Sequence, residues 1–223
     1  MRQDPPPPKL LMGLTPHQRE TALQRAERRN FVANEVIVTI GKPATKLFQL
    51  TKGTAKYYRV TRTGAEVVMW WLASEDILGV GALVAAPWRY IGTAQAVDDC
   101  EALVWKRESI MAMPAIYEKM TSNALHIAMN TLAEYTDRII GVTTETAEQR
   151  LKRALVHLAR RIGTAGPEGV DVRITNEDLG NLAHISMFTT SRLMKKWKRL
   201  GMIEKARGRI RILSPEHLFS AEI

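Results

Sequence analysis

The sequence predicts an α+β protein in three parts: an N-terminal β-roll of jelly-roll character, a long dimerisation helix, and a C-terminal winged helix-turn-helix. Three observations predict it. Between Phe31 and Lys106, short β-branched and aromatic runs alternate with glycines, the pattern of an all-β sandwich or barrel. From Pro114 to Gly141, apolar residues recur at intervals of three and four, the period of a helix seam. From Arg173 to Leu213 the order reads short helix, tight turn, second helix, β-hairpin, a helix-turn-helix followed by a wing.

The composition is that of a folded protein. Of 223 residues, 45% are hydrophobic and 25% charged, the ordinary globular range, which excludes disordered and fibrous classes. Residues 1–13, with the run Pro5 to Pro8, are expected to form a flexible, extended tail. They lack the basic start and apolar stretch of a secretory signal. No window approaches the ~18–20 apolar residues of a membrane span, so a cytoplasmic protein without a membrane partner is expected. Cys100 is the single cysteine. It cannot form an internal disulfide, and a reducing compartment is the simplest reading.

The elements follow in order. Residues 14–30 read as a helix, with Thr15 as cap and Pro16 at the first helical position. Strands are expected at Val36–Ile40, Leu47–Leu50, Ala55–Val60, Val67–Leu72 and Ala102–Trp105, with breaks at Gly41, Gly53 and Gly64. The turn Arg62-Thr63-Gly64 joins the clearest hairpin. Residues 14–113 are thus taken as one β-roll effector or sensor domain. Residues 114–143 are taken as the dimerisation helix, whose seam is Leu125, Ala128, Leu132, Tyr135, Ile139 and Val142. Packing of this stripe on the β domain is the competing reading. Residues 144–223 are taken as a winged-helix domain expected to bind DNA, opening with the capping-box tetrad Thr146-Ala-Glu-Gln149. Leu151, Leu155, Leu158 and Ile162 mark the buried face of the next helix, which ends at Gly163 and the stretch to Gly169.

The charge points to a partner. The net charge is +9, and it is not spread evenly. Residues 150–213 carry 15 Lys/Arg against 5 Asp/Glu, whereas residues 1–149 are close to neutral. A located basic module beside a helix-turn-helix points to double-stranded DNA. Thr175 can cap the first helix, whose core side is Leu179, Leu182 and Ala183; Ser186 can cap the second, with core positions Thr190, Leu193, Met194 and Trp197. The polar side of the second helix offers Ser186, Thr189, Ser191 and Arg192, then Lys195, Lys196, Lys198 and Arg199; the wing adds Arg207, Arg209 and Arg211. Arginine pairs bidentately with guanine, while lysines and wing arginines hold phosphates. Arg192 is therefore the expected base reader with Thr189 beside it, and Ser186, Lys195, Lys196 and Arg207 are expected on phosphates. For each single lysine, a solvated helix face is an equally good reading.

The segment from Arg173-Ile-Thr-Asn-Glu-Asp through Leu-Gly-Asn-Leu-Ala-His-Ile to Ser-Met-Phe-Thr-Thr-Ser-Arg192 resembles the helix-turn-helix of the Crp/Fnr family of bacterial transcription regulators. The likeness covers roughly residues 20–213, with the β-roll glycines included. It implies a homodimer that binds DNA near promoters, reports a small-molecule effector and acts on RNA polymerase. Arg192 falls on the family's base-contacting arginine. The residues after the serine depart from the family's Arg-Glu or Val-Glu pair: Met187 and Phe188 stand there. Neither can hydrogen-bond a base edge, which leaves contact with a thymine methyl or inward packing, and an operator unlike the best-known ones.

The effector cassette departs too. In the cAMP-binding branch a Gly-Glu pair holds the ribose and an Arg-Ser or Arg-Thr pair the cyclic phosphate. Here Gly79-Val80 stands for the first, and Arg89-Tyr90-Ile91 lies one position out of register for the second. Val80 cannot accept a ribose hydrogen bond, which counts against cAMP. One cysteine counts against the iron–sulfur branch, and His17, His126, His157, His184 and His217 show no haem-ligand spacing; no cofactor or metal is expected. An apolar or aromatic effector pocket would use Gly79, Val80, Arg89, Tyr90, Trp70 and Trp88, with Tyr135 and Thr136 as secondary contacts, although aromatic clusters usually serve packing. A redox role for Cys100 is a further idea. The sequence carries no Gly-rich phosphate loop, metal-ligand cluster or nucleophile elbow, so no enzyme is expected. The alternative is a small-molecule-binding or scaffolding protein whose basic module is only an interaction surface.

Overall fold

A computed structural model describes residues 8–84, 88–206 and 208–213. By its contacts the chain divides into two compact units, residues 1–57 with 72–135 and residues 58–71 with 136–223. By this division the segment 58–71 groups with the second unit.

In the first unit, a 3-10 turn at Lys9–Leu11 buries Leu10 and Leu11 completely. The Asn123 amide donates to the Leu10 and Met12 carbonyls, both at 2.9 Å. The expected tail therefore does not extend to residue 13. Two adjacent leucines gain more by burial than by staying extended in water. Helix α1 (Pro16–Gln24) opens with a capping box, in which the Gln18 amide N–H donates to Thr15 Oγ1 and the Gln18 side chain accepts from the Thr15 N–H. It ends before residue 30, because the charged run continues as strand β1 (Glu27–Phe31). That strand pairs antiparallel with β8 (Cys100–Lys106), Phe31 opposite Cys100. Only Phe31 of its five residues is buried, so no alternation betrays it in the sequence.

The first sheet runs β1–β8–β3–β6, with β3 at Lys46–Lys52 and β6 at Ile77–Leu78. The second runs β2–β7–β4–β5, with β2 at Val36–Val38, β7 at Thr93–Ala96, β4 at Ala55–Val60 and β5 at Glu66–Leu72. All five strands read from the sequence are present; β1, β6 and β7 are additional. Leu47, Leu83, Leu103, Trp105, Ile110, Ile116 and Met120 form one core with Leu10 and Leu11. The Trp105 indole N–H is satisfied by the Ala22 carbonyl at 2.7 Å. Short α2 (Arg107–Met111) precedes α3 (Pro114–Thr144), which spans 31 residues.

The second unit is built on α4 (Ala147–Ile162), whose Thr146–Gln149 capping box forms as expected. Leu151, Leu155 and Leu158 are fully buried, and Ile162 is half-buried. The stretch after Gly163 becomes a hairpin, β9 (Thr164–Gly166) and β10 (Gly169–Arg173). With β11 (Ile203–Ala206) and β12 (Arg209–Ile212) they form a sheet of order β11–β12–β10–β9. Helices α5 (Asn176–Leu182) and α6 (Met187–Arg199) complete the unit.

Candidate nucleic-acid interface

Two capped helices and a glycine place the interface. Thr175 Oγ1 accepts from the Asp178 N–H at 3.0 Å, and its own hydroxyl donates to the Asp178 carboxylate. The chain turns through His184, whose φ is +52°, while the Ile185 N–H donates to the Gly180 carbonyl at 3.0 Å. Ser186 then caps α6 by accepting from the Thr189 N–H. The Thr190 hydroxyl is wholly buried and donates to the Ser186 carbonyl. A Cβ on Gly180 would lie 2.6 Å from Thr190 Oγ1, so only glycine lets α5 and α6 cross this closely. Below them Leu193, Met194 and Trp197 are buried with Leu179, Leu182 and Ala183.

The opposite face of α6 stays in solvent. Phe188, Ser191, Arg192, Lys195, Lys198 and Arg199 line one open surface hollow. No ion pair engages Arg192, Lys195, Lys198 or Arg199 among the described residues. Lys198 and Arg199 thus share this face with Arg192 and Lys195, and the i, i+4, i+7, i+11 spacing of 188, 192, 195 and 199 is what places them on one side of the helix. Met187 is 61% and Phe188 78% exposed, so inward packing is excluded for both.

Other expected contacts are already engaged. Lys196 Nζ is 2.8 Å from the Glu148 carboxylate, which also accepts from the Trp197 indole N–H. These two hydrogen bonds hold the Glu148 carboxyl below its ordinary range. In the wing Arg209 lies 2.8 Å and Arg211 2.9 Å from Asp171, and Arg211 also pairs with Glu168. The Arg211 bond is the first cause that lowers the Asp171 carboxyl. Ser186 and Thr189 share their hydroxyls with one another, and Ser191 accepts from the Asn176 amide at 3.1 Å. Lys196, Arg209 and Arg211 thus each have an acidic partner within the chain. Arg207 lies outside the described residues.

The expected effector residues do not all come together. Gly79 has φ +81°, and a Cβ there would meet the Lys46 carbonyl at 2.2 Å and the Tyr90 ring at 3.2 Å. A Cβ on Gly81 would meet Trp88 at 2.8 Å. The 79–81 turn and Trp88-Arg89-Tyr90 are therefore neighbours. The Arg89 guanidinium, however, donates to the Gly41 carbonyl at 2.6 Å, and the Tyr90 hydroxyl to the Lys46 carbonyl. Val80 is half-buried against the core of the first unit. Trp70 belongs to the other unit: it is buried edge-on to His157 at 5.8 Å, with the Arg138 and Arg161 guanidinium groups 5.1 and 4.8 Å from its ring. Cys100 is buried, its thiol donates to the Thr54 carbonyl, and burial raises its pKa to about 11. It lacks the thiolate character of a sensor.

Helix α3 carries a run of exposed apolar residues along the expected seam. Leu125, Leu132, Ile139 and Val142 are exposed, joined by Met129 and Ile140. Ala128 and Tyr135 between them are half-buried. Thr136 is exposed.

Known proteins share these features. A family model for the cyclic nucleotide-binding domain matches residues 28–117, and one for the Crp-like helix-turn-helix domain matches residues 149–220. The electron transport regulator A of Shewanella oneidensis is 25% identical over 185 residues, covering 82% of this chain and 73% of that protein. The fumarate and nitrate reduction regulatory protein of Escherichia coli is 22% identical over 171 residues, 76% of this chain and 68% of that protein. The structure of FixK2 from Bradyrhizobium japonicum superposes with a TM-score of 0.74 at 18% identity, covering 89% of this chain and 98% of that one. The order of the two matched domains, the capped helix-turn-helix and the regulator relatives agree, and the chain belongs to the Crp/Fnr family of DNA-binding transcription regulators.

Proposed function

We propose that the protein binds an inverted-repeat operator as a homodimer, with α6 of each subunit in the major groove and Arg192 on a guanine. The observation that carries this reading is the solvent face of α6, where Arg192, Lys195, Lys198 and Arg199 stand together on a rigidly capped helix. The apolar residues exposed on α3, with Leu125 at 60%, Met129 at 56% and Ile139 at 59%, support pairing of two subunits along that helix. Two recognition helices would meet half-sites about 34 Å apart. RNA polymerase is the expected partner on promoter DNA.

The cyclic-nucleotide chemistry does not fit these residues. Val80 offers no acceptor for a ribose hydroxyl, and the Arg89 guanidinium is bonded to the Gly41 carbonyl. A single buried thiol likewise does not fit an iron–sulfur cluster. An effector of this domain is therefore a different small molecule, with Trp88 and the 79–81 turn the place to seek it.

Selection of bound duplexes from a random pool at about 150 mM salt, where non-specific binding is weakened, tests the reading. An inverted repeat enriched equally with and without cAMP is the expected result. Enrichment only with cAMP would overturn the assignment of Val80. The Met129→Glu, Ile139→Glu double variant should be monomeric by light scattering; an intact dimer would remove α3 as the interface.

A further inference from the structure

The first two residues of the recognition helix are large and apolar, and the structure leaves both in water. Met187 and Phe188 are 61% and 78% exposed, whereas Leu193, Met194 and Trp197 of the same helix are buried. The neighbours of the exposed pair identify what covers them. Phe188 shares its surface hollow with Arg192, Lys195, Lys198 and Arg199, and no acidic residue lies in that lining. Four cations around an apolar ring suit a polyanion that also offers an apolar spot.

Duplex DNA offers one in the major groove. The C5-methyl of thymine projects there, on the same edge that presents the guanine acceptors to arginine. Residues 188 and 192 stand one turn apart on one face, a rise of about 6 Å, or roughly two base-pair steps of about 3.4 Å. We infer that Phe188, with Met187 beside it, reads the methyl group of a thymine lying within about two base pairs of the guanine read by Arg192. The polar residues nearby do not compete for this role, because the Ser186 and Thr189 hydroxyls face each other and Ser191 is held by Asn176. This inference rests on the assignment of α6 as the DNA reader and names the chemistry it reads.

Replacing thymine by deoxyuridine removes the methyl and nothing else. In the selected operator, each thymine of a half-site is replaced in turn, and affinity is measured for the full-length wild-type protein. At one or two positions affinity should fall about three- to five-fold, the worth of one buried methyl. Phe188→Ala should bind the thymine and deoxyuridine duplexes alike, and Phe188→Leu should restore the difference. Because Phe188 is exposed, both variants should melt with wild type. Equal wild-type affinity for every substituted duplex overturns the inference, as does a methyl preference that survives Phe188→Ala. Failure to enrich any operator is a different outcome: it overturns the DNA-reader assignment, and the methyl reading falls with it.

Discussion

Lys196 Nζ lies 2.8 Å from the Glu148 carboxylate, so a lysine on the recognition helix is bound to the start of α4, 48 residues earlier. The same carboxylate accepts from the indole N–H of buried Trp197 at 3.0 Å. One acidic side chain thus holds two consecutive residues of α6. The pair sets the helix against its support and gives Lys196 an acidic partner within the chain.

Glu148→Ala should lower stability by about 1–2 kcal/mol, because Trp197 keeps a buried donor without a partner. Glu148→Gln should cost less, since an amide oxygen still accepts from the indole. Urea midpoints check both. The lowered Glu148 pKa, caused first by Lys196 and then by Trp197, fixes the sign with pH. Its contribution is complete above the ordinary value of 4.5 and is lost as pH falls through the lower folded value. Equal stability of Glu148→Ala and wild type at neutral pH would refute the tie.

His157 should make stability fall on mild acidification. Burial first, then the charges of Arg161, Arg138 and Arg160, depress its pKa from 6.5 to about 4. The unfolded chain then binds the proton more tightly. Stability is therefore full above pH 6.5 and declines toward pH 4, by at most about 1.4 kcal/mol per unit. Denaturation at pH 7.5 and at pH 5 measures the slope, which His157→Phe should reduce. Some slope should remain, because burial lowers the His184 pKa as well. An unchanged slope in the variant would assign the effect elsewhere.

Arg192 and Lys195 should fail differently on DNA. Arg192→Ala should cost about 1–3 kcal/mol and relax specificity at one base pair of each half-site. Lys195→Ala should weaken all sequences alike and reduce the salt dependence by about one counterion per site. Lys196→Ala should change the salt dependence little, given its pairing with Glu148. Titrations at several salt concentrations separate the three variants.

Gly180→Ala should destabilise the C-terminal unit by about 1–3 kcal/mol, because the new Cβ would lie 2.6 Å from Thr190 Oγ1. Adding Thr190→Ala removes that oxygen and should recover part of the loss. Thermal melts of the single and double variants measure the coupling; strictly additive losses would place the strain elsewhere.

Much of this architecture is local, and local patterns are legible. Thr15, Thr146, Thr175 and Ser186 cap the helices the sequence assigns to them, because a cap needs only a hydroxyl three residues before a free N–H. Strand β4 at Ala55–Val60 falls where the β-branched and aromatic run places it. Strand β1 was not legible. Glu27 to Asn30 are exposed, and their extended form is held by backbone pairing with β8, which no side-chain pattern records.

The sequence by itself determined the recognition helix, its cap, its basic face and the Arg192 position, since all follow from residues within a few turns of one another. Only the tertiary structure decided which cations have an acidic partner within the chain. Arg192, Lys195, Lys196 and Arg209 look alike in sequence, yet Glu148 holds Lys196 and Asp171 holds Arg209. It also moved Trp70 from the expected pocket to His157, and left Met187 and Phe188 in water. The physical reason is the same in each case. Side-chain type is written in the chain, but its partner is set by whichever distant segment folds against it.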